Sequence, residues 1–159
     1  LYREPANVRG DGVHTIAQLV QRKNDDPLRG EGYVKPLEKI KLGQIEEDFL
    51  AAQGKTFQTV PAADETVYLR ENSNISTGGD SIDCTDEMAD AYKDIAVRAV
   101  QAVGAKICGA DLIVPNIDAA HDAYAVIELN FNPALHIHTF PYSGVNRNVA
   151  SKVLDLLGF

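Results

Sequence analysis

Apolar positions recur along this chain with a period that changes from segment to segment, and each change marks an element. Ile16, Leu19 and Val20 fall on one face of a stretch from about His14 to Asn24, which predicts a helix ended by Asp25-Asp26-Pro27. A short helix is expected over 43–53, where Ile45, Phe49 and Leu50 share a face and Gly54 follows. The clearest helical pattern runs over 86–103: Met88, Tyr92, Ile95, Ala96, Ala99, Val100 and Val103 repeat at helical spacing. Asp86 and Glu87 suit its first turn and Gly104 its end. A last helix over about 145–157 is expected to bury Val149, Val153, Leu156 and Leu157.

Elsewhere the pattern turns to β. Residues 1–8 read as a strand end broken by Pro5, then a tight turn at Gly10-Asp11-Gly12. Residues 56–60 and 65–69 read as two strands about a turn at 61–64. Residues 106–114 and 123–130 are rich in β-formers and predict an antiparallel hairpin across the polar connection 115–122. Two stretches follow neither period. Residues 27–42 are punctuated by Pro and Gly and carry Arg29, Lys35, Lys39 and Lys41; the part from Lys35 to Lys41 reads as a solvated face. Arg70 to Asp83 reads as a polar, glycine-bearing loop. With no repeat, low-complexity segment or linker, one α+β domain over 1–159 is expected, a mainly antiparallel sheet flanked by helices.

Composition alters this picture little. Apolar content is 45% and charged content 24%, both ordinary for a globular chain. The net charge of −8 argues against a nucleic-acid or anionic-membrane surface, which needs clustered Lys and Arg. It leaves room for a small polyanion held by a few local cations and a metal. No apolar run approaches the roughly 20 residues that span a bilayer, and no charged-then-apolar leader is present, so a cytoplasmic setting is expected. Cys84 and Cys108 form no C-x-x-C pair and read as reduced packing thiols. The opening at Leu1, running straight into Tyr-Arg-Glu-Pro, reads as the interior of a larger protein.

The hairpin carries the first candidate chemistry. A turn centred on Ala119–Ala120 sets Asp111 opposite Glu128, and the period of two puts Asn130 on the face of Glu128. Ile127 and Leu129 then point the other way, into a core, as does Cys108. Opposed carboxylates repel, with Cβ atoms only about 4.5–5.5 Å apart. A cation between them removes the conflict, and two carboxylates with an amide oxygen suit Mg²⁺. The alternative is a solvated sheet face, and a bulge would shift the register.

Arg70 opens the sequence Glu-Asn-Ser-Asn-Ile-Ser-Thr-Gly-Gly-Asp. Its fork can donate two hydrogen bonds to a phosphate, and Thr77-Gly78-Gly79 could turn backbone N–H groups inward as an anion nest. Together they could hold a transferring phosphate and a substrate carboxylate, with Asn72 and Asn74 as further partners. The alternative is a polar loop whose Arg70 pairs with Glu71 or Asp80. His136-Ile-His138 could set two imidazoles on one strand face, but no third zinc ligand follows at typical spacing. Neither cysteine has a neighbouring His to mark it as a nucleophile. Arg9 and His14, beside the Gly-Asp-Gly turn, are left unassigned.

An Asp in one strand, Glu128-Leu-Asn130 in the next, then Asn132-Pro133, resembles the magnesium end of ATP-grasp enzymes, whose kin include D-alanine–D-alanine ligase and cyanophycin synthetase. Asn7-Val-Arg-Gly-Asp-Gly-Val-His-Thr-Ile16, Asp26-Pro-Leu-Arg-Gly30, the run Tyr68 to Asp83, Gly104-Ala-Lys-Ile-Cys-Gly109 and Val126 to Pro133 narrow the likeness. They resemble the glutathione synthetase module of bacterial bifunctional glutamate–cysteine ligase/glutathione synthetases. The resemblance runs nearly end to end, and the Arg70–Asp83 stretch is its most specific part.

The resemblance implies an ATP-grasp C-terminal subdomain within a larger, multifunctional ligase. Asp111 would hold one Mg²⁺, Glu128 would bridge two, and Asn130 would complete the second, with Mn²⁺ as a substitute ion. Arg70 would be catalytic, and Asn72, Asn74, Thr77, Gly78 and Gly79 would bind nucleotide or substrate. The implied reaction joins γ-glutamylcysteine and glycine at the expense of ATP, through an acyl phosphate, to give glutathione. Upstream adenine-binding elements and a glutamate–cysteine ligase module would lie outside this chain, so the isolated piece is expected to be inactive. No nucleic acid or membrane is implied, and a homo-oligomeric full-length enzyme is compatible. The rival readings are an ATP-grasp ligase with another acceptor and a non-catalytic piece that keeps only the metal site.

Overall fold

A computed structural model describes residues 1–118 and 123–159. These residues fall into two compact units, one comprising Leu1–Asp83 with Phe140–Asn146 and the other Cys84–Thr139 with Arg147–Phe159. Strands pair two by two among the described residues: three ladders are antiparallel and one is parallel. The class is α+β, as the patterning implied.

In the first unit, β1 (Tyr2–Glu4) and β2 (Asn7–Arg9) flank Pro5, which cannot donate to a ladder. β2 pairs with β5 (Thr66–Tyr68), so that Val8 faces Val67. Helix α1 (Ile16–Asn24) lies against β2, and Ile16, Leu19 and Val20 enter the core. A capping box fixes its start: Gln18 N donates to Thr15 Oγ1 at 3.3 Å, and Thr15 N to Gln18 Oε1 at 2.9 Å. Ala6, Val8, Ile40, Leu50, Val67 and Leu69 complete this core, with Phe57 against it.

Residues 56–60, expected to be a strand, form none. Their carbonyls instead accept from the first turn of α1, Ile16 N to Thr59 O at 2.9 Å and Ala17 N to Phe57 O at 3.0 Å. Those N–H groups have no partner within the helix, and this segment satisfies them. The stretch 27–42 contains the parallel pair β3 (Arg29–Gly30) and β4 (Leu37–Glu38). Lys35 and Lys41 are exposed as expected, but Leu37, Glu38 and Ile40 between them are buried. Arg29 is buried too.

Helix α2 (Gln44–Ala52) buries Leu50, yet Ile45 is 59% exposed and Glu46 is buried in its place. The reason is an ion pair described below. The Arg70–Asp83 stretch is not wholly loop. It holds a one-turn 3₁₀ helix (Ile75–Thr77) and β6 (Asp80–Ile82), which pairs with β1 so that Glu4 faces Asp80. The chain returns at 140–146, where Tyr142 N donates to Ser81 O at 2.8 Å and Asp83 N to Ser143 O at 2.9 Å.

In the second unit, α3 (Asp90–Ala102) starts four residues later than expected, with Asp90 in its first turn; Tyr92 is buried and Gly104 follows at φ +72°. It packs on the hairpin of β7 (Gly109–Ile113) and β8 (Ala125–Asn130). His136–Thr139 form a single helical turn, α4, and not a strand. α5 (Val149–Leu157) half-buries Val149 and Val153, but Leu156 and Leu157 are 56% and 59% exposed, so that half of the expected face is uncovered among the described residues. No helix among the described residues is long and apolar enough to cross a membrane.

Candidate functional site

β-formers on both strands favour the hairpin, and its register pairs Gly109 with Asn130, Ala110 with Leu129 and Asp111 with Glu128. The turn centre assumed from sequence lies outside the described residues, but the opposition of the two carboxylates is observed. A bulge does occur, one step beyond them. Leu112 pairs with Val126, so Ile127 is the extra residue.

The bulge reverses parity. Val126 shares the face of Leu112, opposite Glu128, although it lies two residues from Glu128. That face meets α3, since Val126 and Tyr124 border a shallow depression with Ile95 and Ala99. Leu129 is half-buried there, whereas Ile127 is 58% exposed and does not point into a core. Asp111, Glu128 and Asn130 lie on the other face, with Asp111 and Asn130 half-buried and Glu128 exposed.

Two hard carboxylates two residue pairs along the ladder from an amide oxygen, and on its face, fit Mg²⁺, which commonly takes one or two carboxylates and completes its shell with water and substrate phosphate. Among the described residues, no three His, Cys, Asp or Glu side chains converge as metal ligands, so the shell would need Asn130 and oxygens from substrate and water. Cys84 is a buried free thiol and Cys108 a half-buried one whose Sγ–H donates to Gly109 O at 3.4 Å.

In the first unit, Arg70 pairs with neither Glu71 nor Asp80. Its Nε donates to Glu46 Oε1 at 2.5 Å, and Glu46 Oε2 accepts from Gly43 N at 2.9 Å. Among the described residues, its Nη groups take no partner. Asp80 has partners of its own. Lys23 Nζ donates to Asp80 Oδ2 at 2.6 Å, Asn7 Nδ2 donates to it at 3.0 Å, and Arg29 Nη2 binds Oδ1. The Tyr142 ring lies 5.1 Å from Lys23 Nζ and 5.4 Å from the Arg29 guanidinium. Burial lowers the Lys23 ammonium pKa, outweighing the field of Asp80.

The anion nest expected at Thr77-Gly78-Gly79 does not form. Thr77 N and Gly79 N donate to Asn74 O at 3.2 and 3.0 Å, and Gly78 N donates to Ile75 O at 3.1 Å. The one-turn helix needs these bonds, which leaves no inward donors. The glycines are there for close approach. A Cβ on Gly78 would lie 2.7 Å from Ile40 Cα, and one on Gly79 would lie 2.6 Å from Glu4 O. Asn72 and Asn74 are exposed, and their side chains take no partner among the described residues. Near the Gly-Asp-Gly turn, Arg9 pairs with Asp64 and His14 Nδ1 lies 2.7 Å from Asp11 Oδ2.

Sequence reading missed Glu46, Lys23, Arg29 and Asp80 as a set. Only Glu46 left a signal, standing three residues after Gly43 at a helix start, where a carboxylate can reach back to the cap.

This fold, with carboxylates paired across a hairpin, defines a recognisable class. Residues 60–157 match the RimK-like ATP-grasp domain, and the chain belongs to that family. At closer range it is similar to the glutathione biosynthesis bifunctional proteins GshAB. It is 60% identical to that of Desulfotalea psychrophila, over all of this chain and 21% of the relative. It is 58% identical to that of Clostridium perfringens, over 99% of this chain and 20% of the relative. It superposes on a bifunctional glutathione synthetase from Pasteurella multocida with a TM-score of 0.88 at 51% identity, covering 97% of this chain and 22% of that one. The chain thus spans about a fifth of the relatives it matches.

Proposed function

We propose that this chain is the metal-binding portion of an ATP- and magnesium-dependent carboxylate–amine ligase that joins γ-glutamylcysteine to glycine. The observation that carries the reading is the pairing of Asp111 with Glu128 beside Asn130, on a chain of the RimK-like ATP-grasp family whose relatives are named for glutathione biosynthesis. Asp111, Glu128 and Asn130 would hold the divalent ions. Bound there, Mg²⁺ would neutralise the β- and γ-phosphate oxygens of ATP as a Lewis acid.

An oxygen of the terminal carboxylate of γ-glutamylcysteine attacks the γ-phosphorus, and ADP leaves. The glycine amine then attacks the acyl carbon, loses a proton, and expels inorganic phosphate to leave an amide. The protein forms no covalent bond in this scheme; it orients reactants and offsets charge. In the first unit, the Nη donors of Arg70 would suit a phosphoryl or carboxylate group, and Asn72 and Asn74 offer exposed amides.

Glu128→Gln, made in the longer protein that carries this sequence, is expected to lower ligation by at least about a hundredfold with the melting temperature unchanged. Mg²⁺ titration followed by NMR should shift resonances around Asp111, Glu128 and Asn130, and Mn²⁺ should broaden them, with both effects lost in the variant. Near-normal turnover would sink the metal assignment. ADP release with other acceptors, and none with glycine, would keep the ligase class and replace the substrate.

A further inference from the structure

Arg70 is held by its inner nitrogen. Of the five N–H donors on a guanidinium, Nε–H is taken by Glu46 Oε1 at 2.5 Å, while Nη1 and Nη2 take no partner among the described residues. The holding carboxylate is deep: the Glu46 side chain is 2% exposed and that of Arg70 is 21% exposed. Glu46 is itself fixed, because its second oxygen accepts from Gly43 N at the start of α2. The other end of α2 is fastened to the strand that leads to Arg70, with Gln53 Nε2 donating to Tyr68 O at 3.0 Å.

A guanidinium is planar and rigid, so fixing the direction of Nε–H fixes the plane and the aim of both Nη groups. An end-on carboxylate pair would have consumed the Nη fork. This side-on pair leaves it available. A buried acid facing a single Arg nitrogen, with the outer fork unspent, orients the fork as well as stapling a helix to a strand.

We infer that Glu46 is a positioning residue for Arg70, holding its Nη fork in the plane that receives the phosphoryl or carboxylate group of the substrate. This rests on the reading of Arg70 given above. It assigns work to a residue that touches no substrate.

The test is a double-mutant cycle in the longer protein, assayed with ATP, γ-glutamylcysteine and glycine. Glu46→Gln should lower kcat about tenfold or more, with each KM within about threefold. In an Arg70→Ala background the same substitution should change kcat by less than about twofold, because nothing remains to be positioned. An undiminished effect in that background would make Glu46 merely structural and overturn the inference. Arg70→Ala with full loss but Glu46→Gln with normal kcat would overturn the inference and leave Arg70 in place. Arg70→Ala with normal kcat would remove the Arg70 reading, and the inference with it. A measurement on the unaltered protein guards against variants that do not fold. The Arg70 Hε resonance, assigned by its loss in Arg70→Lys, should exchange with solvent at least about tenfold more slowly than that of Arg22, whose side chain is 60% exposed and pairs with Asp11 through Nη1. Equal exchange rates would overturn the inference.

Discussion

A missing side chain decides the packing at Gly78. Its φ is +93°, and the space a Cβ would need is filled by Ile40 Cα at 2.7 Å. Backbone cannot retreat as a side-chain tip can, so strain and overlap add. Gly78→Ala is expected to destabilise the first unit by about 2–4 kcal/mol, read as a lower urea midpoint; a loss under about 0.5 kcal/mol would show that Ile40 can move. The sequence marked this glycine for the wrong reason. A Gly-Gly pair in a polar loop reads equally well as an anion cradle or a close approach, and only the neighbour, 38 residues away in Ile40, distinguishes them. Arg70 posed the same difficulty. Its charge invited pairing with Glu71 or Asp80 nearby in sequence, whereas Asp80 is taken by Lys23 and Arg29, and Glu46 reaches Arg70 from another element.

Elements were legible where period and caps agreed. α1 has both: three buried apolar residues at helical spacing and a Thr15–Gln18 capping box. Thr15→Ala should cost about 1 kcal/mol and speed amide exchange in the first turn of α1. Unchanged exchange there would mean that the carbonyls of Phe57 and Thr59 suffice to cap it. Those carbonyls also explain why residues 56–60 were misread as a strand. Their composition suits β, but their hydrogen bonds go to helix N–H groups. β5 finds its partner in β2, far away in sequence, and a local pattern cannot name such a partner. The hairpin was legible because its two strands are sequence neighbours and its opposed carboxylates had to be reconciled. Ile127 was misplaced because alternation assumes an unbroken ladder.

At the scale of the whole molecule, acid should act on both units through carboxylates at or near the surface. Asp11 is held below its ordinary value by the backbone N–H groups of His14 and Val13, Glu65 by that of Ala62 and by Lys55, and Asp90 by Lys93. A carboxyl depressed in the folded state binds protons more readily once unfolded. Its contribution is therefore complete above the ordinary carboxylate range and is lost as pH falls through and below about 4. The urea midpoint should fall between pH 5 and pH 3, and Asp11→Asn should make that fall shallower. An equal slope in the variant would contradict the assignment. Fold class and the order of the four longer helices and the hairpin were readable at this scale, since both follow from period and length. Which apolar faces would be covered was not, as the exposed Leu156, Leu157 and Ile127 show.

The bulge at Ile127 has a consequence for how the length of this hairpin can vary. The ladder passes from the Asp111–Glu128 pair to the Leu112–Val126 pair without counting Ile127. The carboxylate pair and the loop end of the hairpin are thus kept on separate counts. A residue gained or lost at the bulge leaves both sets of partners as they are, while the same change at Leu129 slips Asn130 away from Gly109. Within the ladder, the separation in sequence between the two carboxylates is therefore adjustable at the bulge, and the spacing from Glu128 to Asn130 is not.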